Sequence, residues 1–521
     1  MTTDAFPRLA LPRFTPSATT WLTTRLALAT AVAALADLLF YAVPGGPSNE
    51  PALAFTIFFG AVVLLSLIMN DIRAAMRTRM VLSFCYLAAL LTVLDNLSVL
   101  SWLIAAVASL VFPLVMVTGT DRPWPRLLAR ALLLPFAGPF WMIGDVLRAR
   151  RLAARYRRPI KIVATLVAWL VPLMFGAVFV ALFASANPMI DVWVAWFDPR
   201  QLIALLAPGR IVFWCLIAVL VWPLIHLRIP RRRSAGQPAR RPQTGDAITS
   251  DIDLLFGKAA VTRSLPLFNV LFAVQTLLDA IYLWGGHALP ADMTYASYAH
   301  RGAYPLIATA LLAAGFVLIA LRDGGPVRDS RLIKPLILIF IAQNVALVVS
   351  SIQRTLNYVA VYSLSELRLA ALIWMALVAF GLVLIVVRIV RDRSNGWLVN
   401  AAVAAGAITL VGCCYVNFPA VVANYNVAHS AELGGRGPAL DLNYLVSLGP
   451  QAIPAYDDYF GRTGRKRPGA DEQPQFATPG HLPGDDWRTW SFRGWRLQRY
   501  LDTHPVWAAL NPAGDASTNR N

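Results

Sequence analysis

Charge is what this sequence has least of. Asp, Glu, Lys and Arg make up 14% of its 521 residues, while 57% are hydrophobic. Soluble domains carry about 25% charged residues. No globular core encloses this much apolar surface, so lipid must cover it. The mean hydropathy of +0.57 points the same way. Cysteine is scarcer still. Cys85, Cys215, Cys413 and Cys414 all lie in apolar runs without CxxC spacing, which excludes a disulfide framework and a thiolate metal site. Motifs of soluble catalysis are missing too: there is no HExxH, GxGxxG, Walker sequence with lysine, or GxSxG elbow. The nearest approach to a metal set is His287 and His300 with Asp292, and no ligand spacing supports it. The sequence therefore predicts no catalytic residue, no cofactor and no metal.

Acidic residues are few beside basic ones, giving a formal charge of +18. The excess is confined. From Val416 onward 10 Lys+Arg balance 10 Asp+Glu, so the whole surplus belongs to the part with the apolar runs. Short basic cytoplasmic loops produce that distribution. A nucleic-acid surface would need a basic stripe interleaved with aromatics, and none is suited to it.

What is present is a series of apolar runs. Residues 1–20 form a polar-to-mixed N-terminal segment, and residues 21–228 hold spans 1–6. These are Trp21–Tyr41, Pro51–Met69, a short Met80–Leu94, Val99–Val117, Ile162–Ala184 and Ile211–His226. Ala131–Val146 is apolar but carries Pro135, Gly138 and Pro139 between arginine-rich flanks, and reads as an interfacial or re-entrant segment. Residues 229–262 are a Pro/Arg-rich loop expected to be partly disordered. Residues 263–415 hold spans 7–11: Ser264–Leu283, Ala303–Leu321, Pro335–Gln353, Leu369–Val390 and Trp397–Cys414. Arginines at 71–79, 148–161 and 229–241 fall on one side of this count. That side is cytoplasmic, with the N-terminus inside and the tail, 416–521, outside. The expected fold is an all-α integral membrane protein of about 11 transmembrane helices, with interfacial helices and a mostly irregular extracytoplasmic tail. Within that tail, Trp487–Leu501 interleaves aromatics and arginines and would pack on the bundle mouth or lie on the membrane.

The most specified stretch is Asp279–Gly302, a polar interlude between spans 7 and 8. Asp279 lies about one turn inside the span end, so its carboxylate needs a partner or a polar cavity. Arg301, Arg354 and Arg368 are the candidate partners, Arg301 being the nearest the loop can fold back. Gly285 and Gly286 permit a tight reversal and Pro290 stiffens it. Thr294 caps a helix that places Tyr295 and Tyr298 on one face. Gln343 and Asn344 sit at mid-depth in span 9, and Glu366 joins Arg368 in the next outer loop.

These residues carry a resemblance. Tyr282, Leu283, Gly285, Gly286, Leu289 and Pro290, then Thr294, Tyr295, Ala296, Tyr298, Ala299, Arg301 and Gly302, resemble a bacterial multi-pass membrane family, domain of unknown function 4173, related to domain of unknown function 4153. Tyr362–Arg368, Asn417, Pro419, Tyr425, Asn426 and Leu440–Ala455 extend it. Two positions depart: Ser297 stands where a glutamate is expected, and His300 where an arginine is expected. The resemblance implies a bacterial inner-membrane protein and no known activity. Three roles follow: a structural, regulatory or interaction protein of the cell envelope; a transporter of a small polar solute or ion along Asp279, Gln343 and Asn344; or a membrane enzyme on a lipid-linked substrate. The expected partners are the bilayer, anionic lipid at the basic loops, and an envelope or membrane protein, with no nucleic acid.

Overall fold

The computed structural model describes residues 20–41, 51–119, 124–155, 208–227, 258–284, 332–466 and 486–504, with single positions between 309 and 319. The described residues form helices and connecting turns, with no strand among them. In chain order these are α1 (Thr20–Ala36) running into a π turn (Asp37–Tyr41), α2 (Ala52–Met69), α3 (Met76–Asp95), α4 (Val99–Thr118), α5 (Trp124–Arg155) and α6 (Pro208–Ile225). Then come α7 (Lys258–Asp279) with a second π turn (Ala280–Trp284), α8 (Ile333–Tyr362), α9 (Glu366–Val390) and α10 (Asn395–Tyr415). The tail adds α11 (Phe418–His429), α12 (Leu442–Ser447), α13 (Ile453–Thr463) and α14 (Phe492–Asp502).

Nine helices among the described residues are long and apolar enough to cross a membrane: α1 with its π turn, α2, α3, α4, the Trp124–Arg148 part of α5, the Ala260–Asp279 part of α7, α8, α9 and α10. α6, apolar over Gly209–Ile225, is shorter. The chain is an all-α multi-pass membrane protein. Expected spans 162–184 and most of 303–321 lie outside the described residues, as does the loop 229–257.

Hydrogen bonds set the direction of each helix. Ser66 Oγ and Asn70 Nδ2, at the end of α2, both donate to the Leu224 carbonyl at the end of α6 (2.7 and 2.9 Å). The Arg73 and Ala74 amides donate to the Met116 carbonyl near the end of α4. These termini share one end of the bundle, the base. At the opposite end, the crown, the last turn of α1 meets the first turn of α6 through Asp37 and Arg210. One apolar core joins α1, α4, α5 and α6 around Ala33, Leu114, Ala131 and Trp222. A second joins α7, α8 and α9 around Leu265, Phe340 and Met375. Outward faces are apolar as well: Ile68, Phe84, Phe136 and Ile408 are exposed, as lipid contact requires.

Three expectations change. The segment 131–146 is not broken at its prolines: α5 runs unbroken through Pro135 and Pro139, so the reversal a re-entrant segment needs is absent. Gly138 is buried where α5 crosses α6, and a Cβ there would run into the Val219 carbonyl oxygen. The stretch after Gln353, expected as an outer loop, is helical to Tyr362. It contains neither Gly nor Pro, and Thr355 returns its hydroxyl to the Ser351 carbonyl. The tail, expected as mostly irregular with short helices, buries a core of its own around Ala423, Leu445, Tyr456, Tyr459, Leu497 and Leu501. Residues 467–485 and 505–521 lie outside the described part.

Candidate functional site

Four carboxylates lie in or at the ends of apolar helices, and each meets an arginine from a distant element. Asp37 accepts from Arg210 Nε at 2.5 Å and from Trp214 Nε1 at 2.9 Å, while that guanidinium also lies over the Tyr41 ring. Asp279 pairs with Arg354, and Gln275 Nε2 donates to the same oxygen at 3.0 Å. Asp95 pairs with Arg493 at 2.6 Å, and Arg493 also donates to the Cys414 carbonyl at 3.0 Å. These three pairs sit at the crown. The fourth, Asp145 with Arg25 at 2.9 Å, lies toward the base and includes Trp222 Nε1. All four carboxylates are largely hidden. An ionised carboxylate so placed needs its guanidinium, because the cost of removing either from water is met only by the pair and its added hydrogen bonds.

The sequence singled out one of these acids. Its expected partner, Arg301, lies outside the described residues, and the structure gives Arg354 instead. The register explains it: α7 and α8 run parallel, with Asn269 beside Leu336 and Gln343, which brings Arg354 level with Asp279. Arg368 is turned away. It donates to the carbonyls of Tyr362 and Ser363 and lies over the Tyr358 ring, bracing the α8–α9 turn. Glu366 occupies the first turn of α9, where a carboxylate suits the helix dipole, and its amide donates to Tyr444 Oη of the tail. Burial raises the Tyr444 phenol above its ordinary pKa. Tyr282 falls in the second π turn. Gly285, Gly286, Pro290, Thr294, Tyr295, Tyr298 and Arg301 lie outside the described residues.

Gln343 and Asn344 lie in α8, where Gln343 meets Asn269 of α7. Gln343 Nε2 donates to the Asn269 carbonyl, and the Asn344 and Asn269 amides donate to carbonyls of their own helices. Their side-chain oxygens, with Asp279 Oδ2, are buried without a hydrogen-bond partner among the described residues. No group of three or more metal-ligating side chains occurs among those residues.

The sequence held a signal for one missed acid, Asp37. Asp37 and Asp279 stand in matching settings: each lies where an α-helix passes into a π turn, followed by aromatics and then a Gly-Gly pair (45–46 and 285–286). A second match follows. The α3–α4 and α8–α9 turns both read Leu-Ser, at 97–98 and 364–365, with the serine capping the next helix. Such π turns often mark functional positions.

The tail is tied to the crown. Asn426 donates to the Leu364 carbonyl and accepts from the Leu364 amide, at 2.9 and 2.8 Å. Arg488 donates to the Leu38 carbonyl at 3.0 Å. With Arg493, these contacts hold α11–α14 as a cap over the ends of α1, α3, α8 and α10.

A multi-pass helical membrane bundle with a docked, folded cap is the class that this architecture defines. The family model for "Domain of unknown function (DUF4153)" matches residues 80–459, well over half of the chain, and the chain belongs to that family. The narrower resemblance to domain of unknown function 4173 is thereby corrected: the match is to the related family. No curated protein and no solved structure matches.

Proposed function

We propose that this protein is a structural or interaction component of the bacterial inner membrane, presenting its cap as a fixed extracytoplasmic surface. One observation carries the reading: Arg493 of the tail reaches through the crown to the Asp95 carboxylate and the Cys414 carbonyl. A tail anchored by a buried charge pair holds one orientation, which suits a docking platform. The exposed, oppositely charged α13 surface around Asp458 and Arg462 is its solvent face. A photo-crosslinker at position 462 in intact cells should give discrete adducts with one envelope protein, and Arg493→Leu should abolish them. Unchanged adducts in the variant would separate the partner from the platform and end this reading.

The arrangement in the bilayer follows from parity. α4 ends and α5 begins at the base, and Asp145, about 31 Å along α5, still pairs with Arg25 in the base-side half of α1. α6 then starts at the crown. One crossing at 162–184 joins these points only if α5 stays at the base, lying in the interface. Eleven crossings result. Exposed Arg73, Arg77, Arg391 and Arg393 support a cytoplasmic base. Arg126, Arg130 and Arg148 on α5 are exposed where anionic headgroups would lie.

A second reading, transport of a small cation or polar solute, is favoured by the side-chain oxygens of Asn269, Gln343 and Asn344 and by Asp279 Oδ2, which have no partner among the described residues and would welcome a donor or cation. Asp279→Asn would then keep the fold and abolish uptake. A membrane enzyme has no comparable support, since no site of convergent acids or histidines stands out among the described residues.

A further inference from the structure

The tail segment 486–504 has two faces with different chemistry. On α14, Arg493, Leu497 and Leu501 are buried against the crown and the cap. Phe492, Trp495, Arg496 and Arg499 are exposed and, at spacings of three and four, share the opposite face. Trp487 and Trp490, in the turn before α14, extend it, and the Arg499 guanidinium lies over the Trp495 ring. Four large aromatics in so short a segment remain uncovered after the tail has folded.

The depth of this face is set by its attachments. Arg488 donates to the carbonyl of Leu38, a residue 60% exposed in the π turn that follows α1. Arg493 enters at Asp95, the last residue of α3, and the 487–489 turn packs on α2. The aromatic face therefore begins where the lipid-facing sides of the spans end. At that level lie phosphate headgroups and the first acyl methylenes. Indole rings favour that boundary, and guanidinium groups pair with phosphate there.

We propose that the Trp487–Arg499 face is a phospholipid-binding surface, seated in the headgroup layer of the crown-side leaflet. Indoles enter the acyl boundary and Arg496 and Arg499 hold phosphate. The cap is thereby fixed twice, by ion pairs to the helices and by lipid beside them. Docking of an envelope protein on α13 is unaffected, since that helix presents a separate surface.

The test uses the full chain in nanodiscs, comparing its tryptophan fluorescence with that of Trp490→Phe and Trp495→Phe. Both side chains are exposed, so neither variant disturbs the core. The emission lost on each substitution should be quenched by phospholipid brominated near the headgroup and shielded from aqueous iodide. Arg496→Gln with Arg499→Gln should weaken the bromolipid quenching several-fold. Quenching by iodide alone would place the face in water. Protection from both quenchers would mean that protein covers it. Either result overturns the proposal, and neither bears on the cross-linking at position 462.

Discussion

At the residue scale the crown depends on carboxylates that cannot be left alone. Losing one member of a buried pair strands the other, at a cost of about 3–5 kcal/mol, whereas losing both costs less. Asp279→Ala and Arg354→Ala should each lower the thermal unfolding temperature in detergent, and the double variant should recover part of the loss. Strict additivity would show that the two do not act as a pair. Backbone contact is as sensitive. Gly138→Ala forces a methyl toward the Val219 carbonyl and should destabilise by about 1–3 kcal/mol. Gly144→Ala on the same helix meets open space, and should be neutral or slightly stabilising through helix propensity. Equal unfolding temperatures for these two variants would remove the α5–α6 crossing from the account.

At the element scale the question is what keeps the cap docked. Arg493→Leu leaves Asp95 without its guanidinium and should free the tail. Externally added protease should spare α14 in the wild type and cut within it in the variant, and an identical digestion pattern for the two would count against the clamp. The Asp486–Arg488 pair adds a pH dependence. Hydrogen bonding from Arg488 holds the Asp486 carboxyl below its ordinary value of 3.8. A lowered folded-state pKa gives stability that is present above the ordinary value and disappears as pH falls through the lowered one. Cap protection should therefore be constant down to the ordinary carboxylate range and decline below it. Asp486→Asn should remove that part of the decline.

At the scale of the whole molecule, α5 decides which way everything after it faces. With α5 in the interface, cysteines placed at residues 121 and 158 should react with membrane-impermeant reagent from the same side, and one at position 470 from the other. Labelling of 121 and 158 from opposite sides would make α5 a crossing helix and refute the eleven-span arrangement.

Helix class and span positions were legible in the sequence because hydropathy is a local property: α2, α4, α9 and α10 fall within a few residues of their apolar runs. Asp279, Gln343 and Asn344 were legible for the same reason, as polar groups in apolar surroundings. The matched Asp–π turn–Gly-Gly settings were written there too, though only the helix geometry drew attention to them. Partner choice was decided by the tertiary structure alone. Asp95 and Arg493 are 398 residues apart, and Asp37 and Arg210 are 173 apart. Nothing local selects Arg354 for Asp279, because the choice depends on how α7 and α8 are set side by side. The same holds for α5, whose composition suits either a crossing or an interfacial helix. What it packs against is read only from the fold: Arg25, Trp222 and the close approach at Gly138. Burial in lipid can be read from one segment at a time, whereas pairing a buried charge requires knowing which helix ends meet.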